Sequence, residues 1–476
     1  MIPLIIAVIS AGTHLFRFGQ PAAVVFDEVH AGNFLTNYWH GSYFFDVHPP
    51  LGKLIEMAFG YLTGANQAVV DYTLINNPIP SSVILLRLIP LVAGILLPII
   101  VYYVLRRLNF TKITATTTSI LLCLENSLIV QSRYILYDVI MLALGFLAIL
   151  CYLKWRDCPV DKRRNRFYLF AISLIAAAAV PCIKWTGLAF PLIIILMEIY
   201  NNWPGWSNLS FNFIKKHLGF AFRYVSVFVV LYVALFGIHF AILSRTGPGD
   251  AFMSSEFRKT LFGSPESGQV SLKTENFAEK FIELNITMFR ADQGLTKPHS
   301  YSSKWYTWPL EIRPIFYWQS HDSTVSTSSE ELADTAKSRS YIYLLGNPVI
   351  YWLGSISIIT LVLYGVYLVA GRKLSELNTK QRQALFFVVV GFLANFLPFI
   401  FIGRVMFLYH YEAALVFSII AVGLVIEVLT TERKKFVALV IIGLALISFV
   451  FFAPLTYGTP LSDQSLAERM WLPTWR

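Results

Sequence analysis

Charge is scarce in this 476-residue chain. Only 14% of its residues are Asp, Glu, Lys or Arg, against roughly 25% in an ordinary soluble domain. With 56% hydrophobic residues and a mean hydropathy of +0.59, that shortage excludes the string of soluble domains that this length would otherwise suggest. Cysteine is scarcer still. Cys123, Cys151, Cys158 and Cys182 are the only four, and all lie in or beside apolar runs. A disulfide framework for the polar segments is therefore excluded, and there is no CxxC metal spacing. There is no internal repeat and no separate basic domain, so the net charge of +10 does not point to nucleic acid.

What the chain does have is long apolar runs separated by short charged stretches. A run of roughly 17–25 apolar residues can cross a bilayer as a helix. In hydrocarbon a helix satisfies its own backbone hydrogen bonds, so helices are expected for every run. Eleven spans are expected, near 2–16, 82–105, 113–130, 136–153, 167–182, 186–200, 218–243, 341–370, 384–402, 411–429 and 436–453. The first is short enough to compete with a signal peptide. The sequence THLFRFGQP after it lacks a small-residue cleavage site, which favours a retained helix.

Basic residues sit in alternate loops: Arg106, Arg107 and Lys112; Lys154, Arg156, Lys162, Arg163, Arg164 and Arg166; Lys215 and Lys216; Arg372, Lys373, Lys380 and Arg382; Arg433, Lys434 and Lys435. Excess Lys and Arg marks the cytoplasmic side. The N-terminus is then cytoplasmic and the C-terminal tail external. The two long polar segments, 17–81 and 244–340, also face outward. STVSTSSEELADTAKSRS at 323–340 reads as a mobile loop. Of the three sequons, only Asn285-Ile286-Thr287 is expected outside, since those at Asn109 and Asn208 face the cytoplasm.

The first external segment contains VVFDEVHAGNF and YFFDVHPPLGKL, which bring Asp27, Glu28, His30, Asp46, His48 and Lys53 near a membrane surface. A solvated loop would need nothing more. Three functions compete with it: a carboxylate acting as general base on a hydroxyl, an Asp/Glu/His divalent-metal site, or a proton or cation site in a transporter. LGKLIEMAFGYL, stiffened at its start by Pro49-Pro50, has helical periodicity and is expected along the interface. Other polar residues recur at external span ends: Arg133 and Asp138 in QSRYILYD, Lys184 in IKWTGL, Arg404 and His410 in GRVMFLYHYEAAL. One such cation is ordinary snorkelling. Several on the face that carries Asp27-Glu28 suggest an anion site, and a lipid phosphate is the anion a bilayer enzyme most naturally meets.

The ordered set FDEVHAGNFLTNYWHGSYFFDVHPPLGKL, SRYILYD, IKWTGL, HFAILSRTGPGDAFMSSEF, SYSSKWYTWPLEIRPIFYW, LLGNPVIYW and PLTYGTPLSD resembles the protein O-mannosyltransferases, over essentially the whole chain. The resemblance implies an all-α polytopic GT-C glycosyltransferase fold with eleven helices and an external or luminal active site. It implies inverting transfer of mannose from a polyprenyl- or dolichyl-phosphate carrier to Ser/Thr hydroxyls of proteins. Asp27 then corresponds to the base, and Glu28 to an acceptor-side or supporting group. Arg133 matches the family arginine, whose partner is inferred to be the phosphate, and Arg17 is expected to be structural. His48, Lys53, Asp138, Lys184, Arg404 and His410 complete the expected donor site. No cofactor is expected, and a divalent metal on His30, Asp46 and His48 is the less favoured variant.

The chain departs from the eukaryotic members, which insert a β-trefoil MIR domain. Residues 244–340 are too few to hold one beside GPGDAFM and WPLEIRP. That favours a short prokaryotic-type member in a plasma membrane over an endoplasmic reticulum enzyme, and puts in doubt the eukaryotic heterodimer habit. Extended Ser/Thr-containing polypeptides are the expected acceptors, with Trp305, Trp308 and Trp318 either lining their path or anchoring at the interface. The nearest alternative is a lipid-phosphate-sugar glycosyltransferase with a lipid or glycan acceptor. A transporter would need broken helices carrying acids, often in inverted repeats, and neither is evident.

Overall fold

The computed structural model describes residues 1–320 and 338–476. Most of the expected loop 323–340 therefore lies outside the described residues. Each of the eleven apolar runs contains helix, but eleven spans are not confirmed. Among the described residues seven helices are long and apolar enough to cross by length and composition, or eight if the bent pair Lys112–Cys123 and Asn126–Ser132 is one span. Ile2–Leu15 has 14 residues, about 21 Å at 1.5 Å per residue, short of a hydrocarbon core of about 30 Å. Trp185–Asn201 is also too short, and Arg163–Ala179 begins with four polar residues, RRNR.

Leu408–Glu427 and Asp138–Asp157 are the most enclosed spans, while Phe211–Ile242 and Thr431–Tyr457 lie at the periphery. Peripheral side chains such as Phe222, Val230 and Ile447 are each at least 70% exposed. Contiguous apolar surface of that kind suits lipid and would be costly in water. The chain is a multi-pass membrane protein.

Polar clamps set the irregular joints. The bent pair turns through 59° at Leu124-Glu125. The Glu125 carboxylate accepts from the Ser127 amide at 3.0 Å and from the Asn347 amide at 3.1 Å. The Asn347 side chain donates to the Leu124 and Ala445 carbonyls. The expected span 341–370 therefore starts later, at Pro348. Residues Arg339–Leu344 instead form strand β2, which pairs antiparallel with β1 (Ile315–Gln319) and with the two-residue β3 (Pro460–Leu461). Alternating tyrosines in RSYIYL suit a half-buried strand better than a lipid-facing helix.

The segments expected outside gather at one end of the bundle. The Tyr43 amide donates to the Arg245 carbonyl at 2.8 Å, and the Gly249 amide to the Tyr43 carbonyl at 3.0 Å. A Cβ on Gly247 would lie 2.3 Å from the Tyr43 carbonyl oxygen, and one on Gly249 2.5 Å from the Phe44 carbonyl carbon. The TGPGD stretch thus needs glycine to lie against residues 43–44. The tail joins the same end, where the Trp475 indole donates to the Glu311 carbonyl at 2.7 Å. At the opposite end Arg107 meets Asp157 at 3.6 Å, and Glu427 accepts from the Thr111 amide and from Lys434.

Candidate active site

Asp27 and Glu28 are neighbours with opposite environments. Asp27 lies just before the helix Glu28–His40 and is its N-cap residue. The helix turns Glu28 inward, where it is 1% exposed. Its carboxylate takes Arg87 Nε at 2.8 Å and Nη2 at 2.6 Å, and accepts from the Val25 and Ile135 amides. This pair ties the first polar segment to the QSRYILYD stretch. The Asp27 carboxylate receives no hydrogen bond and no ion pair among the described residues. Burial pushes its pKa up, against the pull of His30, Lys184 and His299 and with the help of Asp138. It is the freer of the two acids. Phe26 holds the turn beside it by stacking on Tyr317 at 4.0 Å.

Lys184 and Asp138, whose charges act on Asp27, line a cavity of about 410 Å³. One part of its wall is polar: His48, Asp138, Lys184, Asp292, Arg404, Tyr409, His410 and Glu412. Most of the rest is apolar, including Leu188, Leu192, Ala394, Pro398 and Ile402. Each cation has an acidic partner. Lys184 reaches Asp138 at 2.7 and 2.8 Å and lies over the Tyr409 ring. Arg404 pairs with Asp292. Burial pushes His48 down to about 3, against Asp46 and aided by Lys184, Lys53 and Arg404, so at neutral pH it is an uncharged imidazole. His410 stacks on Trp308 with ring centroids 5.9 Å apart, and its Nδ1 is 3.0 Å from the Phe407 carbonyl. A polar mouth holding a lysine and an arginine, on an apolar slot, suits an amphiphile with a polar head.

The family model described as "Dolichyl-phosphate-mannose-protein mannosyltransferase" matches residues 4–244, half of the chain. The chain belongs to that family. A second model, the C-terminal four-TMM region of protein-O-mannosyltransferase, matches residues 277–475. Among curated relatives, mannosyltransferase 4 of Saccharomyces cerevisiae is 31% identical, over 57% of this chain and 37% of that protein. Mannosyltransferase 1 of Candida albicans is 24% identical over 95% of this chain and 75% of that protein. For the first two relatives compared, the match spans little more than a third of their length. The solved Pmt1-Pmt2 complex of S. cerevisiae, bound to the sugar donor, aligns with all of this chain and 92% of the matched one, with TM-score 0.87 and 21% identity. The oligosaccharyltransferase of Archaeoglobus fulgidus aligns with 99% of this chain and 57% of its own at TM-score 0.51 and 15% identity. The fold is the GT-C glycosyltransferase fold.

Within this mannosyltransferase-family fold the expected site residues divide into two groups. His48, Asp138, Lys184, Arg404 and His410 line one cavity. Arg133 and Lys53 do not line it, and each is held by contacts within the protein. Arg133 is 2% exposed. It donates to the carbonyls of His14, Phe16 and Arg17 at 2.9, 2.6 and 2.7 Å, and its guanidinium lies over Tyr457. It clamps the end of the helix Ile2–Leu15, and Arg17 serves it through a carbonyl. Lys53 is bonded to Asp46 and to the His48 and Pro49 carbonyls, so it shapes the DVHPP turn. That bond also occupies Asp46, and among the described residues no group of three or more His, Cys, Asp or Glu is gathered as a metal site.

Trp308 and Trp318 are buried and cannot anchor at an interface. Asn285 lies in the helix Phe277–Gly294, where its amide donates to Phe281 and accepts from Tyr232 at 2.6 Å, an arrangement that occupies the expected sequon. Sequence reasoning missed Arg87, Asp292, Tyr317 and Glu412. Arg87 and Glu412 carried a usable signal, since each is an ionisable residue in a predominantly apolar run.

Proposed function

We propose that this chain transfers mannose from a polyprenyl- or dolichyl-phosphate carrier to Ser or Thr hydroxyls of extended polypeptides, with inversion at the anomeric carbon. The carrying observation is the cavity: Lys184 and Arg404 at its polar end, an apolar slot behind them, and the charges of its Lys184 and Asp138 acting on the unpartnered carboxylate of Asp27. The isoprenoid lies along Leu188, Leu192, Ala394, Pro398 and Ile402. The phosphate meets Lys184 and Arg404, with the His48 and His410 rings as hydrogen-bonding partners.

The acceptor Oγ attacks C1 of the mannosyl group and its proton passes to Asp27. The bond from C1 to the phosphate oxygen breaks, and the electron pair leaves with the polyprenyl phosphate. Phosphate is already a good leaving group, so charge stabilisation by fixed cations serves the departing side, and one ionised carboxylate serves the attacking side. Glu28, saturated by Arg87 and two amides, holds Asp27 in place. The cleft faces outward from the membrane, in a prokaryotic plasma membrane. The test is purified protein with polyprenyl-phosphate mannose and a Ser/Thr-rich peptide, read by mass spectrometry. Mannose on a peptide hydroxyl is expected. Labelling of only a lipid or glycan acceptor would overturn the reading.

A further inference from the structure

Glu412 is a polar residue that the mechanism above leaves unused. It opens the helix Glu412–Glu427, is 2% exposed and lines the cavity. Neither of its carboxylate oxygens has a hydrogen-bond partner. An acid so placed is costly unless something supplies donors. Lys184 and Arg404 line the same cavity but are paired with Asp138 and Asp292, and neither bonds Glu412. A second orphan lies nearby: Tyr317 is fully buried and its hydroxyl is unpartnered. Its ring stacks on Phe26, the residue before Asp27, and the charges of Asp27, Glu412 and Asp138 all act on its hydroxyl.

The chemistry of the missing partner follows by elimination. An isoprenoid chain has no donor. A phosphodiester has only acceptors, so it cannot supply the donors that the Glu412 oxygens lack. The acceptor Ser or Thr brings one hydroxyl, and Asp27 needs it. The transferred hexose brings several hydroxyls, each able to donate to Glu412 and to exchange hydrogen bonds with the Tyr317 hydroxyl.

We propose that Glu412, together with Tyr317, binds hydroxyls of the transferred sugar and sets which hexose the site accepts. This rests on the proposed function and adds to it a sugar-reading side distinct from the phosphate side. A site built to hydrogen-bond a hydroxyl discriminates sharply against an analogue that lacks it, because the buried group is left unpaired.

The test is a cycle on the full chain in detergent, with wild type, E412A, E412Q and Y317F. The donors are polyprenyl-phosphate mannose, its 2-, 3-, 4- and 6-deoxy analogues, and the bare polyprenyl phosphate. E412A should lose about 10- to 100-fold in kcat/KM on the mannosyl donor, the range for a charge-assisted hydrogen bond. One deoxy donor should cost wild type a similar factor, and should cost E412A little more. Affinity for the bare carrier should not change. The isosteric E412Q runs the same cycle if E412A is unstable, and Y317F should couple to a hydroxyl in the same way. A loss that carries over undiminished to every deoxy donor, or that appears equally on the bare carrier, would overturn the proposal. The binding arm separates the two failures. If wild type prefers mannosyl over bare carrier and E412A erases that preference, the sugar-reading site stands even in a preparation that transfers nothing to peptide, where the proposed acceptor reaction fails instead.

Discussion

Asp27→Asn removes a negative charge and almost no volume. The carboxylate has no hydrogen-bond or ion-pair partner among the described residues, so the amide breaks no recorded contact. It cannot take a proton, and loss of a general base typically costs about 10²–10⁴-fold in rate. Transfer by the purified variant should fall by that factor, with Tm and carrier binding unchanged. Near-normal turnover would remove Asp27 from the reaction. The pH profile is a second check on the same atom. Burial raises the Asp27 pKa, and the base must be ionised to act. Activity should therefore be full above that raised pKa and fall as pH drops through it, at higher pH than an ordinary carboxylate would give. An acid limb at or below the ordinary value of about 3.9 would contradict this environment. Glu28 behaves differently. Arg87→Ala leaves its buried charge with two amides and no cation, and breaking a buried pair in this way costs about 3–5 kcal/mol. A detergent-stable preparation with unchanged Tm would show that this pair does not hold the segment.

The clamp on the short helix Ile2–Leu15 gives the sharpest division between stability and donor binding. Arg133→Met leaves three carbonyls without their donor, and each buried unsatisfied group costs about 1–3 kcal/mol. The expected outcome is a lower Tm with a donor KM close to wild type. A tenfold rise in donor KM at unchanged Tm would return Arg133 to the phosphate. The contrast shows what the sequence carries at this scale. Apolar runs announced the long apolar helices, because hydrophobic length is written locally, but not Glu28–His40 or Phe277–Gly294 in the polar segments. They did not announce which helices are too short to span, nor that RSYIYL pairs as a strand, because strand pairing depends on distant partners such as Ile315–Gln319. The cations of the cavity were legible as span-end charges, and so was Asp138, though not as the partner of Lys184; Asp292, the partner of Arg404, was not. Arg133 is an ordinary span-end arginine in sequence, and only the carbonyls of residues 14, 16 and 17, more than a hundred positions away, show where its donors go.

The two ends of the whole bundle differ in charge and in content, and that difference predicts how it sits in the membrane. One end carries the loops with Arg106, Arg107, Lys154, Arg163, Arg164, Lys434 and Lys435, knitted by Arg107–Asp157 and Glu427–Lys434. The other carries Asp27, the cavity mouth, the Tyr43–Arg245 junction and the tail at Trp475. Basic loops are retained in the cytoplasm during insertion, so the Asp27 end should face outward. In a Cys158→Ser background the other three cysteines are buried and should not react with a membrane-impermeant maleimide. Gln269→Cys should then be labelled in intact cells, and Asp161→Cys only after permeabilisation. Both positions are exposed, so failure to label reflects the membrane barrier and not burial. The opposite pattern would place the cleft in the cytoplasm. Acceptors would then be met before export, and a site reserved for polypeptides emerging outside the membrane would lose its physical basis.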